Sequence, residues 1–199
     1  MIWGVDLIEV DGKKIPGPFA RSYLMLNKPF GYICSLNDPQ GRPLITDLIK
    51  DVPQRVYPVG RLDFDTLGLI LLTNDGDWAH RLTHPRYKVS RTYKVTVSGL
   101  ISDQAINLLK KGLQLEDGPT GPVALRLLNR NQRQSVFRLT ISLGRTRLVR
   151  RMLAAVGYEV IHLIRISYGS LQLGDLKIGA YRHLENFEVR NMKKDVGMT

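Results

Sequence analysis

The sequence contains a single cysteine, Cys34, among its 199 residues. One thiol excludes an internal disulfide and any zinc site built from several thiolates, so we expect Cys34 to be a small core residue in a reducing, cytoplasmic compartment. No run approaches the roughly 18 apolar residues of a membrane span. Met1 to Asp6 have neither a basic region nor a long apolar stretch, so they do not resemble a signal peptide.

Acidic side chains are scarce. The chain has 18 Asp and Glu against 29 Lys and Arg, which gives a formal net charge of +11. A domain this basic generally binds a polyanion. No basic amphipathic terminal helix or lipidation signal indicates a membrane partner. An ordinary solvated basic surface is the alternative, but the arginines cluster, which favours nucleic acid.

The apolar pattern predicts more strands than helices. The predicted strands are 23–26, 67–73, 90–98, 135–143 and 159–166. The predicted helices run from Asp77 as N-cap to before Pro85, from Ser102 as N-cap to about Lys111, and from after Gly144 to Val156. Several neighbouring strands look antiparallel. We therefore predict an α+β fold with a mixed, largely antiparallel sheet, flanking helices and an active-site cleft across the sheet.

Residues 1–20 are predicted to be a separate small piece, and residues 21–199 to form the main domain. The first piece contains a strand-like segment over residues 7–10 and a turn at Asp11-Gly12. Pro16-Gly17-Pro18 then interrupts regular structure.

The segment from Gly60 to Gly68 surrounds one carboxylate, Asp63, with an arginine, Arg61, and an apolar run at residues 69–72. This pattern predicts that Asp63 lies at the floor of a pocket, beside a cation and apolar walls. An ordinary turn, in which Asp65 and Thr66 only satisfy backbone groups, is the alternative. Spacing alone does not separate the two interpretations.

The third predicted helix is rich in arginine. At about 100° per residue, Arg147 and Arg151 fall on its polar face and Arg150 borders the buried face. With Arg145 they suit a phosphate backbone, although a solvated helix face is the alternative. The fork of Arg150 could bind a buried carboxylate, and we predict that it pairs with Asp63.

Metal chemistry is not indicated. His80 and His84 have helical spacing, but no third ligand lies nearby in the sequence. The segment Asn74-Asp75-Gly76-Asp77 superficially resembles a calcium loop but lacks the later bidentate acid, so we predict a turn. No glycine-rich phosphate loop is present either, and no nucleotide cofactor is implied.

The motifs together resemble the ribosomal small-subunit pseudouridine synthase A family, including its large-subunit relatives. The matching segments, in order, are Leu26-Asn27-Lys28-Pro29-Phe30-Gly31, Gly60-Arg61-Leu62-Asp63, Asp65-Thr66, Gly68-Leu69, Leu72-Thr73-Asn74-Asp75-Gly76, His84-Pro85-Arg86, Thr92-Tyr93, Gly144-Arg145 and Val149-Arg150-Arg151-Met152. The resemblance covers residues 21 to 190. Several motifs in the right order are far more specific than any one alone.

The resemblance implies that Asp63 is the catalytic aspartate, that Tyr93 lies against the target base and accepts a proton, and that Arg150 pairs with the aspartate. The implied reaction cuts the bond between uracil and ribose and rejoins the base through carbon, without a metal or other cofactor. Asp63 would act as a nucleophile or would drive glycal formation. The implied RNA-binding residues are Lys28, Arg61, Arg145, Arg147 and Arg151.

Two features depart from the family pattern. Leu148 stands where the family usually has Gln or Glu, and Leu143 where it usually has Glu. The small RNA-binding domain that begins many relatives is also incomplete, since only Asp6 to Lys13 resemble its last strand. Either the protein lost this domain or the sequence is a fragment. Because some large-subunit members lack this domain, we expect large-subunit rRNA, free or in a pre-ribosomal particle, as substrate of a monomeric enzyme. The alternatives are small-subunit rRNA and a non-catalytic RNA-binding assembly factor.

Overall fold

The computed structural model describes residues 20–198, together with the backbone of two short strands, β1 (Glu9–Val10) and β2 (Lys13–Lys14). These two strands pair with each other in an antiparallel arrangement. Of the strand predicted over residues 7–10, only its second half is therefore described. The turn at Asp11-Gly12 and the break at Pro16-Gly17-Pro18 lie outside the described residues. No helix in the described part is long and apolar enough to cross a membrane.

The main body is built on a nine-stranded mixed sheet. Its strands are β3 (Tyr23–Lys28), β4 (Tyr57–Pro58), β5 (Leu67–Thr73), β6 (Arg91–Ser98), β9 (Ala124–Arg130), β10 (Gln134–Ile141), β11 (Val160–Tyr168), β12 (Leu171–Gln172) and β13 (Tyr181–His183). The path through the sheet is β13-β3-β5-β11-β6-β10-β9, with β4 added to β5 and β12 to β11. Only β5 and β11 run parallel. A separate hairpin joins β7 (Gln114–Leu115) to β8 (Gly118–Pro119). The predicted fold class is thus confirmed.

Four α-helices and two 3-10 helices complete the structure. They are α1 (Gly76–Thr83), α2 (Asp103–Lys111), α3 (Leu148–Ala155), α4 (Asn186–Asp195) and the 3-10 segments Ile45–Ile49 and Pro85–Tyr87. Helices α2 and α3 pack on one face of the sheet, which we call the front face, in a cluster that includes Tyr93 and Leu139. Helices α1 and α4 pack on the opposite, back face against Met25, Leu69 and Leu71.

The parallel contact in the middle of the sheet depends on Gly68. Its φ is +103°, and a Cβ there would lie 2.3 Å from the carbonyl oxygen of Arg165. Only glycine permits that approach, because any side chain would collide with the β11 backbone. Gly68 therefore sets the distance between β5, which follows Asp63, and β11.

Several boundaries differ from the predicted ones. Helix α1 is capped by Asp75, whose carboxylate accepts from the Trp78 amide, so Asp77 lies inside the first turn. Helix α3 begins at Leu148 because Arg147 adopts a left-handed conformation, with φ of 49°. Strand β9, strand β13 and helix α4 were not predicted; β9 has only short apolar alternation, and α4 is largely polar.

Candidate active site

Asp63 lies in the loop between β4 and β5, and hydrogen bonds from other segments hold the backbone of this loop. Phe64 O accepts from the Gly31 amide at 3.0 Å, Thr66 O from Lys28 Nζ at 2.8 Å, and Asp65 O from Arg150 Nη2 at 3.1 Å. The Leu62 amide donates to Cys34 Sγ at 3.3 Å. Because the amide before Asp63 and the carbonyls after it are fixed, its carboxylate is presented in a preset direction.

Lys28 is the buried support of this loop. Its side chain is fully buried, and Nζ donates to the carbonyls of Pro29 at 3.0 Å, Phe64 at 3.4 Å and Thr66 at 2.8 Å. Burial lowers the pKa of Lys28, and the negative charges of the nearby Asp65 and Asp63 carboxylates oppose that shift. The predicted RNA contact of Lys28 is therefore wrong, since a fully buried ammonium cannot reach a phosphate.

Asp63 and Tyr93 line one cleft of about 230 Å³. Five arginines line it too: Arg61, Arg91, Arg145, Arg147 and Arg165. Asp63 supplies the one carboxylate among the described residues of this lining. Ile141, Leu148 and Leu163 form apolar walls. The cleft thus combines a single carboxylate, an aromatic ring, apolar surface and strong positive charge, as an anionic ligand with a flat base requires.

Tyr93 reaches the cleft from the sheet. It lies on β6 with Leu139 of β10 and Arg165 of β11 as its neighbours on the adjoining strands. The ring is buried within the front-face cluster, with 8% of the residue exposed. The structure therefore brings together two of the three predicted catalytic side chains, from elements that are 30 residues apart along the chain.

Arg150 does not pair with Asp63. Its Nη2 lies 3.2 Å from Oδ2 of Asp65, and its Nη1 donates to the Val160 carbonyl at 3.1 Å. In the described part of the chain, no basic nitrogen lies within 4.0 Å of the Asp63 carboxylate. The predicted pair is thus corrected: the arginine braces α3, the loop and β11 instead, because Asp65 projects toward α3 while Asp63 faces the cleft.

Arg145 and Arg151 are both held by Asp117, at the tip of the β7–β8 hairpin. Their guanidinium nitrogens lie 2.9 Å and 2.8 Å from its two carboxylate oxygens. Hydrogen bonding by Arg151, and secondarily by Arg145, lowers the pKa of Asp117 to about 2. The predicted face of exposed, unpaired arginines therefore needs correction. Arg145 and Arg151 already bind Asp117, which lies 28 residues before Arg145 in the chain.

The other two predicted RNA-binding arginines, Arg61 and Arg147, are more accessible to a ligand. Arg61 is exposed and lines the cleft. Arg147 is 48% exposed and reaches Asp65 at 3.3 Å. Phe30 and Phe64 form an edge-to-face pair beside them and are both exposed.

Comparisons with known proteins decide the family. A sequence model described as RNA pseudouridylate synthase matches residues 22–155, which include every residue of the cleft described above except Leu163, Arg165 and Tyr168. The chain belongs to this family. The pseudouridylate synthases are isomerases, so the predicted enzyme class is confirmed.

Individual relatives extend the match across the chain. Ribosomal large subunit pseudouridine synthase B of Bacillus subtilis is 43% identical over 194 residues, covering 96% of this chain and 79% of that protein. Ribosomal small subunit pseudouridine synthase A of Escherichia coli is 39% identical over 188 residues, covering 93% and 80%. A crystal structure of a pseudouridylate synthase superposes with a TM-score of 0.81 at 36% identity, covering 96% and 82%.

Two cleft residues of this pseudouridylate synthase were missed by sequence reasoning. Arg91 is buried and donates to the carbonyl of Leu82 and the hydroxyl of Tyr168, each at 3.2 Å. Arg165 is also buried; its Nε donates to Leu69 O at 2.6 Å, while Nη2 has no partner among the described residues. Both could have been found from strand periodicity. Arg91 lies two positions from Tyr93, and Arg165 lies two positions from Leu163; both of these neighbours are on the front face.

The two departures from the family pattern also lie at the cleft. Leu148 is buried and Leu143 half-buried, and both contribute to its wall. Where the resemblance implies polar side chains, this synthase has an apolar surface.

Proposed function

We propose that this protein isomerises a uridine of ribosomal RNA to pseudouridine, with Asp63 acting on the ribose of the target nucleotide. One observation carries the proposal: among the described residues of a cleft that five arginines line, Asp63 supplies the single carboxylate. Such a cleft attracts the phosphates on either side of a nucleotide and leaves one carboxylate without a cation partner, free to meet the sugar.

Asp63 opens the reaction in one of two ways. As a nucleophile, one carboxylate oxygen bonds to the ribose anomeric carbon while the bond to uracil N1 breaks and its electron pair stays on the base. Alternatively, the carboxylate removes the proton from the ribose 2′-carbon while the bond to uracil N1 breaks with its electron pair on the base, which gives a glycal. In both routes the base turns and its C5 bonds to the anomeric carbon. This step displaces the Asp63 carboxylate in the first route and returns the proton to the 2′-carbon in the second. The proton on C5 then leaves and N1 gains a proton.

Tyr93 is proposed to lie against the base and to receive the C5 proton. Its hydroxyl is carried by a ring that packs among strands β6, β10 and β11, so the acceptor is held rigidly. Leu148 and Leu163 border the same space and exclude water from the turning base.

Arg150 is proposed as a positioning residue rather than a partner of Asp63. It binds both the carbonyl and the carboxylate of Asp65, two residues after Asp63. That double contact fixes the loop whose direction presents the catalytic carboxylate.

The target uridine cannot react while it is stacked in a helix, so we propose that it is flipped into the cleft. Arg61 and Arg147 are proposed to hold neighbouring phosphates, since both line the cleft and are exposed. Arg145 and Arg151 would join them only by exchanging Asp117 for phosphate.

The proposed substrate is large-subunit rRNA, which the Bacillus subtilis relative is named for modifying. Small-subunit rRNA is the second candidate, because the Escherichia coli relative is named for that subunit.

The test is pseudouridine mapping on unmodified transcripts of both rRNAs after incubation with the wild-type protein. We expect one new site, in the large-subunit transcript. A site in the small-subunit transcript would overturn the subunit assignment alone. If free transcripts and pre-ribosomal particles both stayed unmodified while the protein bound them, the synthase function would be overturned in favour of the assembly factor.

A further inference from the structure

Three cations stand side by side on adjacent strands of the sheet. Arg126 on β9 is the register partner of Arg138 on β10, and Arg138 is the register partner of Lys94 on β6. All three side chains are exposed. We call these three residues the back-face row.

The row faces away from the Asp63 cleft. The residues one position earlier or later, Leu125, Leu139 and Tyr93, are register partners too, and all three belong to the front-face cluster. Because successive side chains of a strand point to opposite faces, the row lies on the back. The sheet therefore separates it from the active site.

No described helix covers this part of the back face. The cluster that α1 and α4 form on the back contains residues of β3, β5 and β11 but none of β6, β9 or β10. Around the row the back face instead carries hydroxyl groups. Thr92 and Thr140 are hydrogen-bonded to each other at 2.9 Å, and Thr96 lies two positions beyond Lys94.

The row is not balanced by acids. Strands β6, β9 and β10 contain no Asp or Glu. Within the described residues, no carboxylate lies within 4.0 Å of a basic nitrogen of Lys94, Arg126 or Arg138. Like charges directly opposite on neighbouring strands destabilise a sheet, and a merely solvated surface usually mixes both signs. The arrangement therefore costs stability in the free protein, which an anionic partner would recover.

We propose that the back-face row binds the phosphate backbone of an rRNA segment outside the loop that enters the Asp63 cleft. The proposal rests on the proposed function and adds a second RNA contact on the opposite side of the sheet. Neighbouring strands are about 4.8 Å apart, so the three cations span about 10 Å, enough to meet successive phosphates. Threonine hydroxyls at its border can donate to phosphate or sugar oxygens. The preferred substrate is thus a folded RNA that reaches both faces.

The test compares the wild-type protein with Lys94→Gln/Arg126→Gln/Arg138→Gln on two RNAs. One is a long rRNA transcript, and the other is a short stem-loop that carries the target uridine alone. The matched control, Lys110→Gln/Lys111→Gln/Lys194→Gln, removes the same charge from exposed lysines on α2 and α4. Affinity for both RNAs and for ribosomal particles is measured against salt concentration, and turnover is measured on both RNAs.

Log affinity falls as log salt concentration rises. For the long transcript, we expect this fall to be shallower for the back-face variant, with a slope smaller in magnitude by about 2 to 3, as three lost phosphate contacts require. Its turnover on the short stem-loop should equal that of the wild type, and its melting temperature should not fall. The control variant should shift the slope by less than about 1.

Three results would overturn the inference: an unchanged slope for the back-face variant, an equal shift for the control, or a loss confined to ribosomal particles with naked-RNA affinity intact, which would indicate a protein partner. Failure of the proposed function looks different. In that case the wild-type protein would form no pseudouridine on either RNA or on pre-ribosomal particles, while the slopes would still show whether the row binds RNA.

Discussion

Arg150 binds Asp65, and no basic nitrogen of the described residues lies within 4.0 Å of the Asp63 carboxylate. The two acids stand two residues apart in one loop yet have different surroundings: Asp65 faces α3 and the groove beside Phe30, whereas Asp63 faces the arginine-lined cleft. One carboxylate is thus used to hold the loop and the other is exposed to a substrate. The division of roles can be tested directly, because the same chemical change can be made at each position.

Tyr93→Phe should block chemistry without disturbing the fold. The phenyl ring keeps its packing in the front-face cluster, so the melting temperature should stay unchanged. Loss of the proton acceptor should slow turnover by at least about 100-fold, the lower range for a general base. Single-turnover assays with saturating enzyme measure this. Full activity in the variant would exclude the hydroxyl from proton transfer.

Lys28→Met should destabilise the loop that carries Asp63. The variant leaves the carbonyls of Pro29 and Thr66 without this donor, at a cost of about 1–3 kcal/mol for each one that finds no water, whereas the Phe64 carbonyl keeps the Gly31 amide. We expect a lower melting temperature and a lower turnover number, with RNA affinity unchanged because the side chain is buried. A variant that keeps its turnover but loses RNA affinity would restore Lys28 to the RNA interface.

The pH dependence of Lys28 gives a second check on its burial. Its pKa is lowered in the folded protein, so the unfolded chain holds the proton more tightly. Wild-type stability should therefore rise as pH increases from the folded-state pKa toward the unfolded value of 10.5, and Lys28→Met should lack this rise. Chemical denaturation of both proteins between neutral and alkaline pH measures the difference. If the stability difference between wild type and Lys28→Met became smaller as pH rises, the predicted direction of the pKa shift would be contradicted.

Asp117→Asn should release Arg145 and Arg151. Their carboxylate partner becomes a neutral amide, so both cations can turn to phosphate, and we expect tighter RNA binding with a steeper salt dependence by up to about 2. Hydrogen exchange should also quicken in the β7–β8 hairpin. Asp103→Asn, which removes the exposed partner of Arg130, is the control. Weaker RNA binding in Asp117→Asn would contradict this account.

Acid should loosen the β7–β8 hairpin only at low pH. The folded-state pKa of Asp117 is about 2, below its ordinary value of 3.8, so the ion pairs contribute above pH 4 and are lost as pH falls toward 2. Hydrogen exchange of the hairpin measured at pH 5 and at pH 2.5 tests this. At pH 2.5, above the folded-state pKa, the carboxyl is still largely ionised, so the wild type should keep part of its extra protection over Asp117→Asn. Equal protection of the two proteins at pH 5 would contradict the pairing.

Sequence periodicity predicted the elements that have one buried side. Strand β6 alternates cleanly, and α2 has the predicted N-cap, Ser102, and ends at the predicted Lys111. Strand β9 and helix α4 were not predicted because few of their residues are buried, so their apolar periodicity is weak. Their positions are fixed by partners distant in sequence, which local patterns do not contain.

The site was predicted unevenly for the same reason. Asp63 and Tyr93 were found because motif order identifies them, and the structure places both in one cleft. The partners of the arginines were not found, since Asp65 and Asp117 compete for them through the fold. Lys28 was misplaced because a lysine is usually solvated, and its burial arises only when the Asp63 loop folds over β3.

The most direct test of the account is single-turnover pseudouridine formation by Asp63→Asn and Asp65→Asn on the RNA that the wild-type protein modifies, with binding and melting temperature measured on the same samples. We predict that Asp63→Asn binds RNA and melts like the wild type but forms no pseudouridine. Asp65→Asn should melt at a lower temperature, because Arg147 and Arg150 lose their carboxylate, and should retain measurable turnover. Normal turnover in Asp63→Asn, with a well-folded but inactive Asp65→Asn, would contradict the central claim.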